Sequence, residues 1–367
     1  MTGESKGLLI EEARTNIQRH SETFGTTWSA TGCSVSGPSA IAPDGTNAAV
    51  TIIDDTTTAR HGPFDQTNTI TSGSNYTLSC YLKKNYGTDY AQIHFNSGSV
   101  GNAWVAVLVN LANGTVENAV AGSSANLVGS GIEDVGNGWY RAYVTGNYAS
   151  TEAHVKVLIS NTASPSHDGY GNINYTGAYT RSILVWGAQL EQGSFPTSYI
   201  PTSGSTVTRS LDGAEITGTS FDFFNNQEST LYSEIDMTYS GGASKGILSV
   251  NGDISGTSGR LLNMYLSQGL QFYFDNYSFG NVTVSGNGGP TPPTKVALSF
   301  STTEYIIAVD GSQVSNPTGS YYMDQATNLK IGGAYNSDSY PLNGHLKKIA
   351  CYPQQLTSAT LQALTEE

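Results

Sequence analysis

Hydrophobic and polar side chains alternate with a period of two along much of the chain. From Tyr76 to Leu82 every second side chain belongs to an apolar set, and the same alternation runs through residues 89–96 and 153–160. A period of two places the apolar side chains on one face of a strand. This pattern is typical of an antiparallel sheet with one buried face.

Turn-forming dipeptides separate these segments, as Asn113-Gly114 and Asn137-Gly138 show. Both supply the positive φ angles that tight hairpins need. Asp310-Gly311 is the strongest such signal, because it joins two strand-like segments directly. The other segments with strand character are 48–53, 104–111, 139–145, 182–190, 229–237, 246–250, 261–266, 270–274, 296–300, 305–309, 328–331 and 344–352.

The pattern predicts an all-β fold of two tandem antiparallel β-sandwich, or jelly-roll, domains with one short C-terminal helix. A stretch rich in Pro, Ser and Thr at residues 195–205 cannot continue a strand ladder and reads as a linker. We therefore predict domains at 1–205 and 206–367. Residues 7–20 are compatible with a helix or a strand, and we favour a strand followed by a loop. Residues 358–364 are predicted as the helix, with Thr357 as its N-cap.

The charge balance restricts the partners of the protein. The chain has 16 Lys and Arg residues against 29 Asp and Glu residues, for a net charge of −13. A strongly acidic chain is a poor ligand for nucleic acid and for anionic membrane surfaces. No segment is apolar enough to span a bilayer, so we expect no membrane insertion. The acidic N-terminal segment predicts no signal peptide and therefore synthesis in a cytoplasm.

The cysteines Cys33, Cys80 and Cys351 lie far apart, with no CxxC or Cys/His cluster, so no zinc site is predicted. Cys80 is expected in the core, and a disulfide between two of the three stays open. We expect no cofactor, although a structural calcium ion is compatible with a sandwich of this kind. The acids considered for that ion, none of them assigned as a ligand, are Asp44, Asp54, Asp55, Asp275 and Asp338.

Seven polar or aromatic residues are candidates for ligand contact, because the alternation turns them away from the predicted core of the first domain. They are Tyr81, Tyr90, Gln92, His94, Arg141, Tyr143 and Gln189. Tyr rings stack on sugar rings, and Arg and Gln form directional hydrogen bonds with hydroxyl groups. The alternative is a solvated face or a contact with another subunit, since Tyr is favoured in strands by propensity alone. Trp139 and Trp186 are expected to be buried.

The sequence offers little support for catalysis. Glu234-Ile-Asp236 resembles the start of the E-[I/L]-D-x-x-E strand of laminarinase-type glycoside hydrolases, but Tyr239 occupies the position of the second glutamate. Without a second carboxylate, neither retaining nor inverting hydrolysis has both of its participants. No GxSxG elbow lies between a predicted strand and a predicted helix, and no HExxH motif is present. We therefore predict a protein that is not an enzyme.

Several longer segments resemble a module that recurs in bacteriophage tail-fibre and virion structural proteins. They are GESKGLLIEEARTN at 3–16, Trp28, APDGT at 42–46, GWYR at 138–141 and VWGAQLEQGSFPTSYIP at 185–201. This module is similar to the jelly-roll carbohydrate-binding modules of xylanases and cellulases. The remainder resembles a laminin-G/concanavalin A-like domain, through KVAL at 295–298, residues 305–311, LKIGG at 329–333 and NGHLKKI at 343–349.

The resemblance implies a protein on the surface of a phage particle, a tail-fibre or receptor-binding component that contacts host glycans. Its expected partners are other virion proteins and a host-surface polysaccharide, in a symmetric homo-oligomer, a trimer by analogy with virion geometry. The alternatives left open are a capsid decoration protein, a host-encoded adhesion module, and a glycan-degrading enzyme such as a depolymerase or β-glucanase.

Overall fold

The structure is a computed structural model, and it describes residues 6–25, 27–237, 244–252, 260–266, 272–276, 280–284, 294–316, 323, 325–333 and 340–366. In these residues the chain forms 28 β-strands, one short 3-10 helix and one α-helix. The prediction of an all-β fold with a single C-terminal α-helix is confirmed. None of the helices in this described part is long and apolar enough to cross a bilayer.

The strands up to residue 209 are β1 Leu8–Ile10, β2 Arg14–Asn16, β3 Ser29–Thr31, β4 Cys33–Ala40, β5 Ala49–Asp54, β6 Thr58–Ala59, β7 Gly62–Thr69, β8 Tyr76–Tyr86, β9 Tyr90–Asn96, β10 Trp104–Asn110, β11 Thr115–Ala121, β12 Ala125–Gly136, β13 Trp139–Tyr148, β14 Glu152–Ser160, β15 Tyr175–Thr176, β16 Ser182–Gln192 and β17 Val207–Arg209. The later elements are β18 Ala214–Thr217, the 3-10 helix Gly218–Phe221, β19 Ser229–Met237, β20 Lys245–Gly252, β21 Arg260–Leu266, β22 Phe272–Asn276, β23 Gly280–Val284, β24 Thr294–Phe300, β25 Tyr305–Val309, β26 Ser312–Asn316, β27 Ala326–Ile331, β28 Gly344–Tyr352 and α1 Ser358–Glu366.

The first compact unit, residues 14–209, is a sandwich of two six-stranded antiparallel sheets. The strand order of one sheet is β11-β10-β9-β14-β7-β3, and we call it the β9–β14 sheet. The other has the order β12-β13-β8-β16-β5-β4, and we call it the β8–β13 sheet. Alternate side chains from both sheets meet in one buried core, to which β9 contributes Ile93 and β8 contributes Leu78 and Cys80.

The second unit contains two further six-stranded sheets, with the orders β1-β28-β19-β24-β25-β26 and β18-β27-β20-β21-β22-β23. Asp310 and Gly311 both have positive φ and join β25 to β26, as the sequence predicts. Helix α1 packs Leu361 against Tyr232 on the outer face of the first of these sheets. The Thr357 hydroxyl accepts a hydrogen bond from the Thr360 N–H at 3.3 Å, as expected of its N-cap.

The division of the chain differs from the predicted one at its N-terminal end. Contacts separate the units at residues 209 and 210, close to the predicted boundary at 205 and 206, but they assign residues 6–13 to the second unit. The reason is that β1 pairs with β28, near the C-terminus, and Ile10 is buried in the second core. An apolar strand is assigned by its pairing partner, which its own sequence does not reveal.

Residues that carry the family resemblance close the first unit around Asn16, which is fully buried. Its amide donates to the carbonyl oxygen of Ile200 at 2.9 Å, and its oxygen accepts from the Leu190 N–H at 3.1 Å. The Arg14 guanidinium hydrogen-bonds the Gln192 carbonyl oxygen and lies 4.8 Å from the centre of the Phe195 ring. The residues of these two segments therefore have a structural role in this chain.

The segment at residues 189–202, which we call the closing segment, is fixed by two buried side chains. Gln189 accepts a hydrogen bond from the Ile200 N–H at 2.7 Å and donates to Glu191 at 2.8 Å. Glu191 in turn accepts hydrogen bonds from the backbone N–H and the hydroxyl of Thr197, at 2.9 and 2.7 Å. Backbone that leaves a strand is thus satisfied by side chains instead of a sheet neighbour.

Candidate functional site

A polar pocket of about 200 Å³ opens on the outer face of the β9–β14 sheet. We call it the Lys156 pocket. Its lining residues come from β7, β9, β14 and the loops beside them: Arg60, Phe64, Gln66, Asn96, Gly98, His154, Lys156, Tyr170 and Asn172. The nine residues comprise two with aromatic rings, three with side-chain amides, three with basic side chains and one glycine, and none of them has a carboxylate.

Strand alternation explains why polar groups meet here. On β14, Val155 and Val157 point into the core, which turns His154 and Lys156 to the opposite face. On β9 the same rule turns Asn96 outward, next to the neighbouring strand.

The wall of the pocket is a long loop between β14 and β16, residues 161–181, which we call the 161–181 loop. Its tip folds back on itself, with His167 bridged to Ile173. The Asp168 carboxylate accepts hydrogen bonds from the backbone N–H groups of Tyr170 and Asn172, at 2.9 and 3.0 Å. These bonds fix Tyr170 and Asn172 at the rim of the pocket.

Lys156 is the most deeply placed cation of the site, with only 4 % of its surface exposed. Its Nζ donates to Asn172 Oδ1 at 2.8 Å. Burial, and then the positive charge of Arg60, lowers the pKa of Lys156 to about 7, while Asp168 opposes that shift. At pH 7 the ammonium group is therefore only partly protonated, unlike that of an ordinary surface lysine.

Arg60 supplies the second cation. Its guanidinium stacks over the Phe64 ring, 4.4 Å from the ring centre, and donates to the Thr31 hydroxyl at 3.2 Å. The Arg60 Nε atom is buried without a hydrogen-bond partner among the described residues. Burial lowers the pKa of Arg60 somewhat, but a guanidinium stays charged at any physiological pH.

Asn96 and His154 are two further polar groups of the pocket. Asn96 is 1 % exposed, and its Oδ1 atom has no partner within the described part of the chain. Buried polar atoms without partners are uncommon, and at a pocket wall they mark places where a ligand can bind. His154 has a lowered pKa, first because of burial, so it is largely neutral at pH 7.

Beneath the 161–181 loop, a buried set of polar side chains continues the site. Gln92 Oε1 accepts from His167 Nε2 at 2.7 Å, and Gln92 Nε2 donates to His94 Nδ1 at 3.0 Å and to the Gly171 carbonyl oxygen at 2.9 Å. Burial, and then the charge of Lys156, holds the pKa of His94 well below its usual range. This arrangement holds the loop to the sheet, with Gln92 and His94 fully buried and His167 half-buried.

The structure separates the seven residues predicted for ligand contact. Tyr90, Gln92 and His94 lie on β9 of one sheet. Tyr81, Arg141, Tyr143 and Gln189 lie on β8, β13 and β16 of the other. Tyr90 packs against the hydrophobic core, contrary to the prediction, and the other six turn away from it. The seven form no common surface, because strands that are neighbours in sequence belong to opposite layers of the sandwich.

Burial corrects the prediction further. Gln92, His94 and Gln189 are fully buried, because the 161–181 loop covers the first two and the closing segment covers the third. On the β8–β13 sheet, Tyr81 packs against Trp186 and Tyr199, and the Arg141 guanidinium lies 5.3 Å from the centre of the Tyr81 ring. Trp139 and Trp186 are buried in a small separate cluster on that outer face.

Sequence reasoning did not single out Arg60, Asn96, Tyr170 and Asn172, and it read Lys156 only as a polar strand position. Tyr170 and Asn172 lie in a loop, where no periodicity marks them. The available signal was the length of the 161–181 loop itself, since a long connection in a compact sandwich is often functional.

The acids considered for calcium have other roles where the structure describes them. Asp44 and Asp55 each accept hydrogen bonds from the backbone and hydroxyl of the Thr two residues later, and buried Asp54 binds Arg181. Asp338 and the side chain of Asp275 lie outside the described residues. In the described part, no group of three or more His, Cys, Asp or Glu residues is placed to hold a metal. All three cysteines are free.

Glu234 and Asp236 lie on the same outer face of β19 as Tyr232, because Ile235 and Met237 enter the core of the second unit. Asp236 pairs with Lys347 at 3.5 Å. Both acids are half-buried, and Asp236 is engaged by a lysine of the neighbouring strand β28.

Comparisons with known proteins concern the arrangement of strands alone. No protein-family model matches the chain, and no curated protein matches it. Among solved structures, the CBM40 of the Ruminococcus gnavus IT-sialidase is 16 % identical, with a TM-score of 0.36, covering 42 % of this chain and 91 % of its own. The mouse laminin alpha1 domains LG4-5 are 12 % identical, with a TM-score of 0.27, covering 96 % and 92 %. Trypanosoma rangeli sialidase in complex with sialic acid is 10 % identical, with a TM-score of 0.33, covering 91 % and 62 %. The structures similar to this chain thus include a carbohydrate-binding module and laminin G domains, at scores from which no ligand or activity follows.

Proposed function

We propose that this chain is a non-enzymatic glycan-binding protein and that the Lys156 pocket holds the sugar. The observation that carries the proposal is the lining of the pocket, in which aromatic rings and amides surround a buried ammonium group. Sugar sites characteristically combine an aromatic surface with a few directional hydrogen-bonding groups. Tyr170 offers the ring, since it is 44 % exposed at the rim.

The proposed setting is the outside of a bacteriophage particle, as a tail-fibre or receptor-binding component. The segments at residues 3–16 and 185–201 support this setting through their resemblance to phage modules. In that setting, the partners are other virion proteins in a homo-oligomer, and the ligand is a polysaccharide of the host surface. A reconstruction of the particle that contains this chain distinguishes a tail fibre from a capsid decoration protein.

A glycan array tests the binding proposal. We expect the wild-type chain to bind at least one class of glycan, and we expect Tyr170→Ala to weaken that binding at least about tenfold, as loss of a stacking ring does. Tyr179→Ala is the matched control, because Tyr179 lies in the same loop, is 60 % exposed and does not line the pocket. Equal loss in both variants, or no binding by the wild type, contradicts the proposal.

The absence of catalysis is tested separately on each glycan that binds. We expect no release of reducing ends after prolonged incubation with the wild-type chain. If cleavage occurs and Glu234→Gln abolishes it, the chain is an enzyme, and the alternative of a depolymerase or β-glucanase replaces our proposal.

A further inference from the structure

We propose that the ligand of the Lys156 pocket is an acidic sugar, whose anionic group pairs with Arg60 and Lys156 while its ring packs against Tyr170. This inference rests on the proposed function and narrows it to one class of ligand. The overall charge of the chain gives no hint of it, since the protein is strongly acidic.

The first argument is the pairing state of the two cations. Lys156 is nearly fully buried, and the one hydrogen bond found for its ammonium group goes to a neutral amide, Asn172. Arg60 likewise bonds a neutral hydroxyl and stacks on a neutral ring. Buried cations are normally paired with a carboxylate, because removal of a charge from water is costly without a counter-charge. In this pocket the counter-charge is missing from the lining.

The second argument comes from the acids nearby. Asp168 is close enough to raise the pKa of both cations. Its oxygens, however, accept hydrogen bonds from four N–H donor groups, which are the backbone N–H groups of Tyr170 and Asn172 and the side-chain amides of Asn172 and Asn174. Burial raises the pKa of Asp168, yet the hydrogen bonds from Asn172 and Tyr170 outweigh that effect and lower it. Its oxygens are therefore occupied by donors of its own loop, and its charge acts on the two cations without a direct ion pair among the described residues.

The remaining acids lie toward His154. Glu152 Oε2 is 3.8 Å from His154 Nε2, and Asp65 accepts hydrogen bonds from Gln18, Thr27 and Thr67. Neither acid lines the pocket. The Arg60 and Lys156 side of the pocket is thus the positive end, and the Asn96 and Gln66 amides provide hydrogen-bonding groups for sugar hydroxyls.

An anion in this position also supplies acceptors for pocket groups that have no partner among the described residues. The Arg60 Nε–H has no partner among the described residues, and the Lys156 ammonium has three N–H groups, of which one is accounted for by Asn172. Charge-assisted hydrogen bonds to such groups are short and strong, and they are stronger still away from water. A neutral sugar cannot supply that compensation.

The test uses matched glycans and the full chain. An array presents uronate-containing oligosaccharides beside their methyl esters, and sulfated oligosaccharides beside their desulfated forms. We expect every strong binder to be acidic, and we expect esterification or desulfation to reduce the affinity at least about tenfold. The two arms also identify whether the anionic group is a carboxylate or a sulfate. Because this comparison uses the wild-type chain, it does not depend on how any variant folds.

Charge-removing variants then locate the effect. Arg60→Gln and Lys156→Gln should each weaken binding of the acidic glycan at least about tenfold and reduce the discrimination against its neutral form. Lys84→Gln is the control, since it removes an exposed charge that pairs with Asp89 outside the pocket. Circular dichroism confirms that each variant is folded before its affinity is measured.

The outcomes separate this inference from the proposed function. If neutral glycans bind as tightly as acidic ones and Tyr170→Ala still removes binding, the glycan site stands and the acidic ligand is refuted. If acidic glycans bind but Lys84→Gln weakens them as much as Lys156→Gln does, the pairing is not in this pocket. If none of the glycans binds, both proposals fail.

Discussion

Lys156 shows how one position on a strand acquires unusual chemistry. Sequence alternation marks it as an outward polar residue, where a lysine is normally solvated and charged. The structure covers it with Tyr170 and Asn172 of the 161–181 loop, and the burial lowers its pKa to about 7. No property of the strand itself foretells this, because the covering residues come from a loop with no periodic pattern.

The lowered pKa of Lys156 predicts how stability depends on pH. Between about pH 7 and pH 10.5, its folded and ordinary pKa values, the unfolded chain binds a proton that the folded chain does not. The stability of the wild type should therefore rise with pH relative to Lys156→Met, by at most about 1.4 kcal/mol per pH unit. Urea unfolding of both chains across this range measures the difference, and a difference that stays constant with pH contradicts the assignment.

Asn16 illustrates the opposite case, a polar residue with a purely structural part. Its fully buried side chain donates hydrogen bonds to the carbonyl oxygens of Ala188 and Ile200 and accepts hydrogen bonds from the backbone N–H groups of Gln18 and Leu190. Asn16→Ala leaves several buried backbone groups without partners, so we expect a loss of roughly 3 kcal/mol or more in the free energy of unfolding.

Asn126→Ala is the matched control for Asn16, since Asn126 is exposed and bonds only the Asn147 side chain in the described structure. The control should change stability by no more than about 0.5 kcal/mol. Chemical denaturation measures both variants, and equal losses would show that the closing segment is not held by Asn16.

At the scale of elements, strands in which apolar side chains alternate with polar ones were predictable. The segments at 76–82, 89–96 and 153–160 became β8, β9 and β14, because alternation reports burial on one side directly. Strands β11 and β12 were not predicted. Most of their residues are exposed or half-buried, so neither face is consistently apolar and no period appears. They pair through backbone hydrogen bonds, which the sequence does not record.

The candidate site was predictable only in part, and for a related reason. Except at Tyr90, alternation indicated correctly which of the candidate side chains leave the core. It could not assign β8 and β9 to opposite sheets or place a loop over Gln92 and His94. Which polar face becomes a pocket depends on what covers it, and the cover is a loop whose conformation rests on side-chain hydrogen bonds such as those of Asp168.

The hydrogen bonds of Asp168 lead to a prediction about this loop. Asp168→Ala removes the acceptor for the backbone N–H groups of Tyr170 and Asn172, so their amide hydrogen exchange should accelerate and glycan affinity should fall. Asp44→Ala removes a similar turn acceptor, for Thr46, outside the pocket lining, and should leave the 161–181 loop and the affinity unchanged. If exchange in the loop is the same in all three chains, Asp168 does not organise the wall.

For the whole molecule, the Pro/Ser/Thr tract predicted a boundary at residues 205 and 206, because it interrupts the ladders, and the contacts of the chain divide at residues 209 and 210. The sequence did not predict that β1 belongs to the second unit, because β1 pairs with a strand more than three hundred residues away, as Leu8 opposite Leu346 shows. Local sequence patterns specify the strands, and long-range pairing determines the unit to which each strand belongs.

This organisation predicts which unit a core substitution disturbs. Ile10→Ala should destabilise the second unit by about 2–5 kcal/mol, because Ile10 is 1 % exposed in its core, and leave the first unit intact. Ile17→Ala, seven residues later, should affect the first unit, since Ile17 packs against the other core. Hydrogen exchange resolved by peptide measures each unit separately, and lost protection in the first unit of Ile10→Ala contradicts the assignment.

The central claim of this account is that a sugar occupies the Lys156 pocket, and a crystal structure of the chain with its best-binding glycan tests it most directly. The account predicts density for a sugar ring beside Tyr170, with hydrogen bonds to Asn96 and an acidic group at Arg60 and Lys156. A sugar bound instead on the outer face of the β8–β13 sheet, near Arg141 and Tyr143, or on the second unit, would contradict it.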